Sequence, residues 1–140
     1  MNNRPSDSPK AAGRRPRRVL VIDDDSQTRE LVAAVLGSSG YEVRGAEGGG
    51  PGLSLAAAEP PDVVLLDVQM PGMDGYEVCR VLRQDAKTRQ IPVVMLTVSD
   101  DPHLNREAYA AGAQACVLKP FRTEGLIAAI EAALTGMPRC

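Results

Sequence analysis

The sequence predicts an α/β fold, a doubly wound parallel sheet of five strands with five helices. Short apolar runs rich in β-branched residues alternate along the chain with segments of helical periodicity, which is the pattern of repeated βα units. The strongest runs are apolar at every position, as expected of strands that are buried on both faces. A length of 140 residues suits a single domain of this architecture.

The first half of the chain predicts two strands and two helices. Residues 19–22 (VLVI) form the first strand, and Ser26 is positioned to cap a helix over 26–36. A weaker strand follows at 41–44 (YEVR) and, after a glycine-rich loop, a short alanine-rich helix at 52–58. The helix over 26–36 carries an apolar stripe formed by Leu31, Val32, Val35 and Leu36.

The second half predicts three further strands and three helices. Strands are expected at residues 63–66, 92–96 and 115–118. Asp101 and Pro102 have the residue types of an N-cap and a first helical position, and their helix should end at Gly112. The other helices are expected at 75–84 and after Thr123, which has the residue type of an N-cap.

Charge is distributed unevenly along the chain. Residues 1–18 carry six basic side chains and one acidic one, a net of +5, so the remainder carries −7 in a chain of formal charge −2. We expect residues 1–17 to form a disordered basic arm, because they contain few apolar residues, and residues 18–137 to form the folded domain. The arm lacks aromatic residues that could stack on bases, so nucleic-acid binding is not expected.

Several protein classes are excluded by composition. No apolar run approaches the roughly 20 residues of a membrane-spanning helix, so membrane insertion is not expected, and the polar N-terminus lacks the apolar segment of a secretion signal. Cys79, Cys116 and Cys140 are widely spaced, which argues against a disulfide framework or a zinc site. With His103 as the single histidine, a site built on several histidines is excluded. A cytoplasmic protein with reduced thiols fits these observations.

Polar residues follow the predicted strands at the points where the apolar runs stop. The carboxyl ends of parallel strands share one edge of the sheet, and ligands bind there at a switch in strand order. In the flavodoxin-like order 2-1-3-4-5, strands 1, 3 and 4 are near neighbours. The residues that this arrangement places at one edge are Asp23, Asp24, Asp25, Asp67, Thr97 and Lys119.

This set of side chains suits phosphoryl chemistry assisted by Mg²⁺. Clustered carboxylates repel one another, so they bind a cation or shift their pKa values. Oxygen ligands without histidine or cysteine favour Mg²⁺ or Ca²⁺ over zinc. A carboxylate beside the ion can accept a phosphoryl group, whose oxygens a lysine and a hydroxyl then stabilise. Asp25 and Asp74 also have a simpler interpretation, as helix-capping or turn residues.

Four segments resemble the receiver domain of two-component response regulators: VLVIDDD (19–25), PDVVLLDVQMPGMDGYE (61–77), VVMLT (93–97) and KPF (119–121). The resemblance extends over residues 18–137. The intervals also fit, at 44 residues from Asp23 to Asp67, 30 more to Thr97 and 22 more to Lys119. Because so few residues follow, the chain resembles stand-alone, chemotaxis-type receivers, and no output domain is expected.

The resemblance implies a role for each of these residues. Asp67 is implied as the phosphoacceptor, Lys119 as a contact of the phosphoryl group, and Thr97 as the hydroxyl that switches towards it. The Lys119–Pro120 peptide bond is expected to be cis. The phosphoryl donor is implied to be a phosphohistidine on a sensor histidine kinase or a phosphotransfer protein, or a small phosphodonor. The implied cofactor is Mg²⁺, bound by Asp23, Asp24, Asp67 and the backbone carbonyl of Gln69.

Two residues depart from the pattern of the family. Cys116 stands at the switch position where receivers usually have an aromatic side chain. We therefore expect coupling from Thr97 to the face formed by helix 4, strand 5 and helix 5 to be weaker or to use backbone motion. Val98 stands where Ala or Gly is common, and we expect it to crowd the phosphoryl group. An alternative interpretation treats Cys116 as a small buried apolar residue.

Two alternative functions remain at this point. The chain could be a degenerate receiver that binds a protein without being phosphorylated. It could also be a phosphatase of the haloacid-dehalogenase type, since Asp23-x-Asp25 matches the DxD arrangement of that family. Under the favoured interpretation the protein is not an enzyme beyond its own phosphorylation and dephosphorylation. A downstream protein of unknown identity is then expected to bind the face formed by helix 4, strand 5 and helix 5.

Overall fold

A computed structural model describes residues 15–136 and contains five strands and five helices in strict alternation. The strands are β1 (Arg18–Ile22), β2 (Glu42–Ala46), β3 (Val63–Asp67), β4 (Val93–Thr97) and β5 (Ala115–Leu118). The helices are α1 (Ser26–Ser38), α2 (Gly49–Ala58), α3 (Gly75–Gln84), α4 (Pro102–Ala111) and α5 (Thr123–Leu134). All neighbouring strands are parallel in the order β2-β1-β3-β4-β5, which confirms the predicted doubly wound fold.

Alternating strand residues build two separate cores, one on each face of the sheet. Leu20 and Ile22 of β1 belong to the core that includes α3, whereas Val19 and Val21 belong to the core that includes α1 and α5. Every residue of β3 and β4 is buried. This double burial explains why the central strands are apolar at every position and places their polar last residues at the edge of the sheet.

The element boundaries differ from the predictions at several ends. Helix α2 begins at Gly49, three residues before the predicted start, because Pro51 sits in the first helical turn, where its missing N–H costs no hydrogen bond. Strand β2 extends to Ala46, whose carbonyl accepts a hydrogen bond from the Asp23 amide. Strands β3 and β4 each run one residue further than predicted and include Asp67 and Thr97.

Helix caps were predicted with mixed success. The prediction for Ser26 is wrong, because Asp25 is the N-cap of α1 and its carboxylate accepts from the Gln27 amide at 3.0 Å. The prediction for Thr123 is also wrong, since the N-cap of α5 is Arg122, which makes no side-chain capping bond. Asp74 and Asp101 are confirmed as the caps of α3 and α4.

Gly75 brings the start of α3 against the backbone at the end of β3. Its amide donates to the Val68 carbonyl at 2.8 Å. A Cβ at this position would overlap the Asp67 carbonyl oxygen and lie 2.9 Å from the Val68 Cα. The absence of a side chain therefore lets the helix approach the strand that carries Asp67.

Replacing Gly75 with alanine is expected to destabilise the protein. Backbone atoms cannot yield as a flexible side chain can, so we expect the free energy of unfolding to fall by about 3 kcal/mol in chemical denaturation. Gly125→Ala in α5 is the matched control, because a Cβ there meets nothing within 4 Å. That variant should be slightly stabilised, by roughly 0.5 kcal/mol. Equal stability of Gly75→Ala and the wild type would contradict the packing argument.

The predicted disordered arm falls mostly outside the described residues, as does Cys140. Within residues 15–136, no helix is both long enough and apolar enough to cross a membrane.

Candidate functional site

Three carboxylates meet at the carboxyl edge of the sheet. Asp23 and Asp24 follow β1, Asp67 ends the adjacent strand β3, and one carboxylate oxygen from each lies within 4.8 Å of the others. Asp23 is fully buried and Asp67 is 6% exposed, whereas Asp24 is exposed. The edge prediction is thus confirmed for these three residues: the parallel pairing of β1 with β3 brings together side chains that are 44 positions apart.

Lys119 supplies a positive charge to this acidic cluster. Its Nζ lies 3.1 Å from Asp23 Oδ2 and 3.3 Å from Asp67 Oδ1. The other oxygen of Asp23 accepts from the Asp25 amide at 2.9 Å, and Arg29 donates to the Asp23 carbonyl at 2.6 Å. Asp23 is therefore fixed on several sides, while Lys119 bridges the two buried carboxylates.

The electrostatics of the site follow from burial and crowding. Burial and the nearby charge of Asp23 raise the pKa of Asp67 to about 6, although Lys119 and a hydrogen bond from the Gln69 backbone oppose the shift. Burial alone would lower the pKa of Lys119, but its hydrogen bond to Asp23 and the charges of both aspartates raise it overall. The cluster thus holds more negative charge than one lysine neutralises.

A divalent cation fits this excess of negative charge. Three carboxylate oxygens converge and the cluster contains neither histidine nor cysteine, which are the donor properties that Mg²⁺ prefers. This acidic triad is typical of the Mg²⁺ site of receiver domains. The backbone of Gln69 lies beside the cluster, since its N–H bonds to the Asp67 carboxylate.

Thr97 is at the edge of the sheet but is engaged with its own loop. Its hydroxyl oxygen accepts from the Ser99 amide at 3.1 Å and lies 3.4 Å from the Ser99 carbonyl. The Lys119 amide donates to the Thr97 carbonyl at 2.6 Å, which couples the ends of β4 and β5. The Lys119–Pro120 peptide bond is cis, as predicted. The structure therefore brings Thr97 near the cluster and occupies its hydroxyl with Ser99.

The two residues that depart from the family pattern lie in different surroundings. Cys116, in the middle of β5, is half-buried and packs against the core on the α3 side of the sheet. Val98 is 64% exposed directly after Thr97. Their predicted effects on switching and on the phosphoryl group remain predictions.

Two residues of the site were not among the predicted ones. Arg29 bonds to the backbone carbonyl of Asp23, and the Ser99 amide bonds to the hydroxyl of Thr97. Arg29 lies six residues after the carbonyl it contacts, an interval that identifies no common motif. Ser99 could have been recognised, because Thr and Ser side chains often bond to an amide two residues on.

Comparisons with known proteins agree with this geometry. Residues 19–131 match the family model described as the response regulator receiver domain. The chain is 39% identical over 119 residues to protein PilH of Pseudomonas aeruginosa, covering 85% of this chain and 98% of PilH. It is 43% identical over 104 residues to the response regulator PleD of Caulobacter vibrioides, covering 74% of this chain and 23% of PleD.

A solved structure shows the same fold. The chemotaxis protein CheY4 of Vibrio cholerae superposes with a TM-score of 0.81 at 33% sequence identity, covering 84% of this chain and 98% of CheY4. The family match extends over most of the folded residues and includes the acidic cluster, Thr97 and Lys119. The family match also argues against the phosphatase alternative, because Asp23 and Asp25, which form the DxD arrangement, lie within the matched receiver domain. The chain belongs to the response regulator receiver domain family of two-component signalling.

Proposed function

We propose that the protein is a Mg²⁺-dependent phosphoryl acceptor, phosphorylated on Asp67 by a histidine kinase or a phosphotransfer protein. The family implies a histidine kinase as partner, and receiver domains are typically not enzymes in the usual sense. The observation that carries the assignment to Asp67 is its place in the cluster. Asp67 reaches the surface of an acidic pocket, whereas Asp23 is fully buried and hydrogen-bonded through both oxygens.

The residues have separate tasks in this proposal. A carboxylate oxygen of Asp67 attacks the phosphorus of a phosphohistidine, an O–P bond forms, and the N–P bond to the departing imidazole breaks. Lys119 stays beside Asp67 and balances charge on the phosphoryl oxygens. The ion would be held by Asp23, Asp24, Asp67 and the backbone carbonyl of Gln69. When bound, Mg²⁺ neutralises carboxylate and phosphoryl charge.

The Thr97 hydroxyl is the proposed switch. To donate to a phosphoryl oxygen on Asp67, it must give up its hydrogen bond with the Ser99 amide. That exchange of hydrogen bonds would move the loop between β4 and α4. Movement of this loop would then change the conformation of the face formed by α4, β5 and α5. Cys116 lies on β5 of that face and would transmit the change with a smaller side chain than a ring.

A downstream protein would bind the face formed by α4, β5 and α5 with different affinity in the two states. The receiver would span residues 18–137, preceded by the basic arm, and act in the cytoplasm. We assign no membrane-inserting or nucleic-acid-binding role to it.

Phosphorylation with a small phosphodonor tests the proposal directly. The wild-type protein is incubated with acetyl phosphate in the presence of either Mg²⁺ or a chelator. Its intact mass is then measured by mass spectrometry. We expect a mass gain of one phosphoryl group only with Mg²⁺. Borohydride reduction of the product should convert Asp67, and no other aspartate, to homoserine. Labelling that survives the chelator, or that maps to Asp23, would contradict the proposed mechanism.

A second candidate function is a binding module that works without phosphorylation. Cys116 favours it, because a small side chain at the switch position limits how far a change at Asp67 can be transmitted. If a purified histidine kinase with its phosphorylated histidine also fails to label folded protein in Mg²⁺, this second function replaces the first.

Val98→Ala is expected to speed loss of the phosphoryl group. Val98 directly follows the switch residue and is exposed. If it crowds the phosphoryl group as predicted, its two methyl groups would shield an acyl phosphate on Asp67 from water. Removing them should lower the barrier to hydrolysis by about 1 kcal/mol, roughly fivefold in rate, measured as the decay of phosphorylated protein. Val81→Ala, an exposed valine of α3, is the matched control. Equal decay rates in Val98→Ala and wild type would show that Val98 does not crowd the group.

A further inference from the structure

Besides packing in a shared core, α3 donates hydrogen bonds to the two ends of α4 from two side chains, and these bonds differ in strength. At the C-terminal end, Arg83 Nη2 and Nε donate to the Gly112 carbonyl at 2.7 and 3.1 Å, and Arg83 Nη1 donates to Ile91 at 2.7 Å. At the N-terminal end, the Tyr76 hydroxyl donates to the Leu104 carbonyl at 3.3 Å. From α3, charged and multiple bonds therefore reach the C-terminal end of α4, and one long neutral bond reaches its N-terminal end.

Packing of α4 has the same asymmetry. Its buried residues are Ala108 and Ala111, both in the C-terminal half, whereas residues 102–107 are half-buried or exposed. Burying little apolar area gives the first half little hydrophobic stabilisation. Segments with few buried apolar contacts open at low free-energy cost, so a single hydrogen bond at this end has a measurable share in holding it.

The weakly held end of α4 is connected to the functional site by a short chain of hydrogen bonds. The Thr97 hydroxyl accepts from the Ser99 amide, and the Ser99 hydroxyl accepts from the amide of Asp101, the N-cap of α4. A change of partner by Thr97 therefore pulls on the first turn of α4. The bond from the Tyr76 hydroxyl to the Leu104 carbonyl joins α3 to that same turn.

Tyr76 also stands beside the loop that follows Asp67. Together with Leu104 it lines a cleft of about 510 Å³ whose other wall is formed by residues 68–71 of that loop. Its ring packs on the same core as Cys116. A tyrosine hydroxyl is already protonated at neutral pH, and burial, followed by Cys116 and nearby acidic groups, raises the pKa of the Tyr76 hydroxyl further.

We propose that Tyr76 is a positioning residue that tethers the first half of α4 in the resting state, and that α4 pivots about the Arg83–Gly112 contact when the tether is released. The proposal rests on the proposed function, since phosphorylation of Asp67 is what releases the tether. It assigns to α3 a part of the coupling that an aromatic side chain at the position of Cys116 would provide in other receivers. The space into which the helix can shift is the cleft beside Tyr76.

Hydrogen exchange of individual α4 amides tests the tether without any phosphodonor. Tyr76→Phe removes the hydroxyl and keeps the ring, so the core should stay intact. We expect amides 105–107 to exchange roughly fivefold faster than in wild type, whereas amides 110–112, beside the Arg83 contact, should change less than about twofold. Tyr41→Phe, which removes a hydroxyl on the opposite face of the sheet, should leave α4 unchanged. An unchanged or uniform exchange rate along α4 in Tyr76→Phe would overturn the proposal.

A phosphoryl mimic tests the release. Mg²⁺ with beryllium fluoride should speed exchange of amides 105–107 in the wild type and add little in Tyr76→Phe, because the tether is already absent. Bound mimic without any change at these amides would overturn the proposal. Failure of the mimic to bind at Asp67 would instead count against the proposed function, and the Tyr76→Phe comparison would still decide whether the tether exists.

Discussion

Asp67→Asn will take up no phosphoryl group from acetyl phosphate or from a phosphorylated kinase. The amide has no anionic oxygen to attack phosphorus, and Asp23 cannot replace it because it is fully buried and bonded to Lys119 and the Asp25 amide. Intact mass spectrometry in Mg²⁺ measures the loss, which should be complete. Asp100→Asn, at an exposed acid of the β4–α4 loop, is the control and should be labelled like the wild type. Phosphorylation of Asp67→Asn at wild-type level would show that another residue is the acceptor.

The same substitution should make the metal-free protein more stable. Asp67 is buried beside Asp23, and its pKa is raised to about 6, so its ionised form opposes folding above that pH. An asparagine has a similar shape, carries no charge and leaves the Lys119–Asp23 pair in place. We expect a gain of about 1 kcal/mol at pH 8 that shrinks as the pH falls from about 6 to about 4, because only below the unfolded-state pKa near 4 is the carboxyl protonated in both the folded and the unfolded protein. A gain that is undiminished at about pH 4 would contradict the charge argument.

Lys119→Met should damage both folding and phosphoryl transfer. It leaves the carboxylates of Asp23 and Asp67 buried together without their shared cation, which is the costly way to break a buried ion pair. We expect the free energy of unfolding to fall by about 3 kcal/mol at pH 8 without Mg²⁺. Phosphorylation from acetyl phosphate should slow by about 100-fold, because one group that stabilises the transferred charge is gone.

The pH dependence of Lys119→Met separates charge from packing. Without the lysine, the pKa of Asp67 rises further, so protonation relieves the repulsion over a wider range. The loss of stability should therefore be small near pH 5 and grow as the pH rises through about 6 and above. Millimolar Mg²⁺ at pH 8 should restore part of it. Lys87→Met, at an exposed lysine, is the control and should show neither effect. A loss independent of pH and Mg²⁺ would mean that the lysine acts through its alkyl chain.

The sequence predicted the sheet and the acidic cluster because both follow from short-range patterns. Continuous apolar runs identify buried parallel strands, and the polar residue after each run lies at the carboxyl edge by the geometry of the fold, as it does for Asp67 and Lys119. The start of α2 was missed because glycine and proline obscure a helix whose first turn they can still form. Ser26 and Thr123 lie one residue after the N-caps of α1 and α5, because neighbouring polar residues compete for one position. For α1, the alternative interpretation of Asp25 as a helix cap is the correct one.

Contacts between distant segments could not be predicted in this way. Tyr76 and Leu104 are 28 residues apart and meet only because α3 and α4 pack side by side. Arg83 and Gly112 are 29 residues apart, and nothing in the sequence near Arg83 distinguishes it from an ordinary solvent-facing arginine. Thr97 was correctly predicted to lie at the carboxyl edge of the sheet, but the bond of its hydroxyl with Ser99 depends on a loop conformation.

The positions of the cysteines provide a native place for a spectroscopic probe. Cys79 is buried, and burial raises the pKa of its thiol, which keeps it unreactive. Cys116 is half-buried on β5, where it packs on the same core as the ring of Tyr76, and β5 contacts α4. In a Cys140→Ser background, a small fluorinated reagent should therefore label Cys116 selectively. The ¹⁹F spectrum of the labelled protein would then report the populations of the two signalling states. This measurement needs neither a partner protein nor an introduced cysteine.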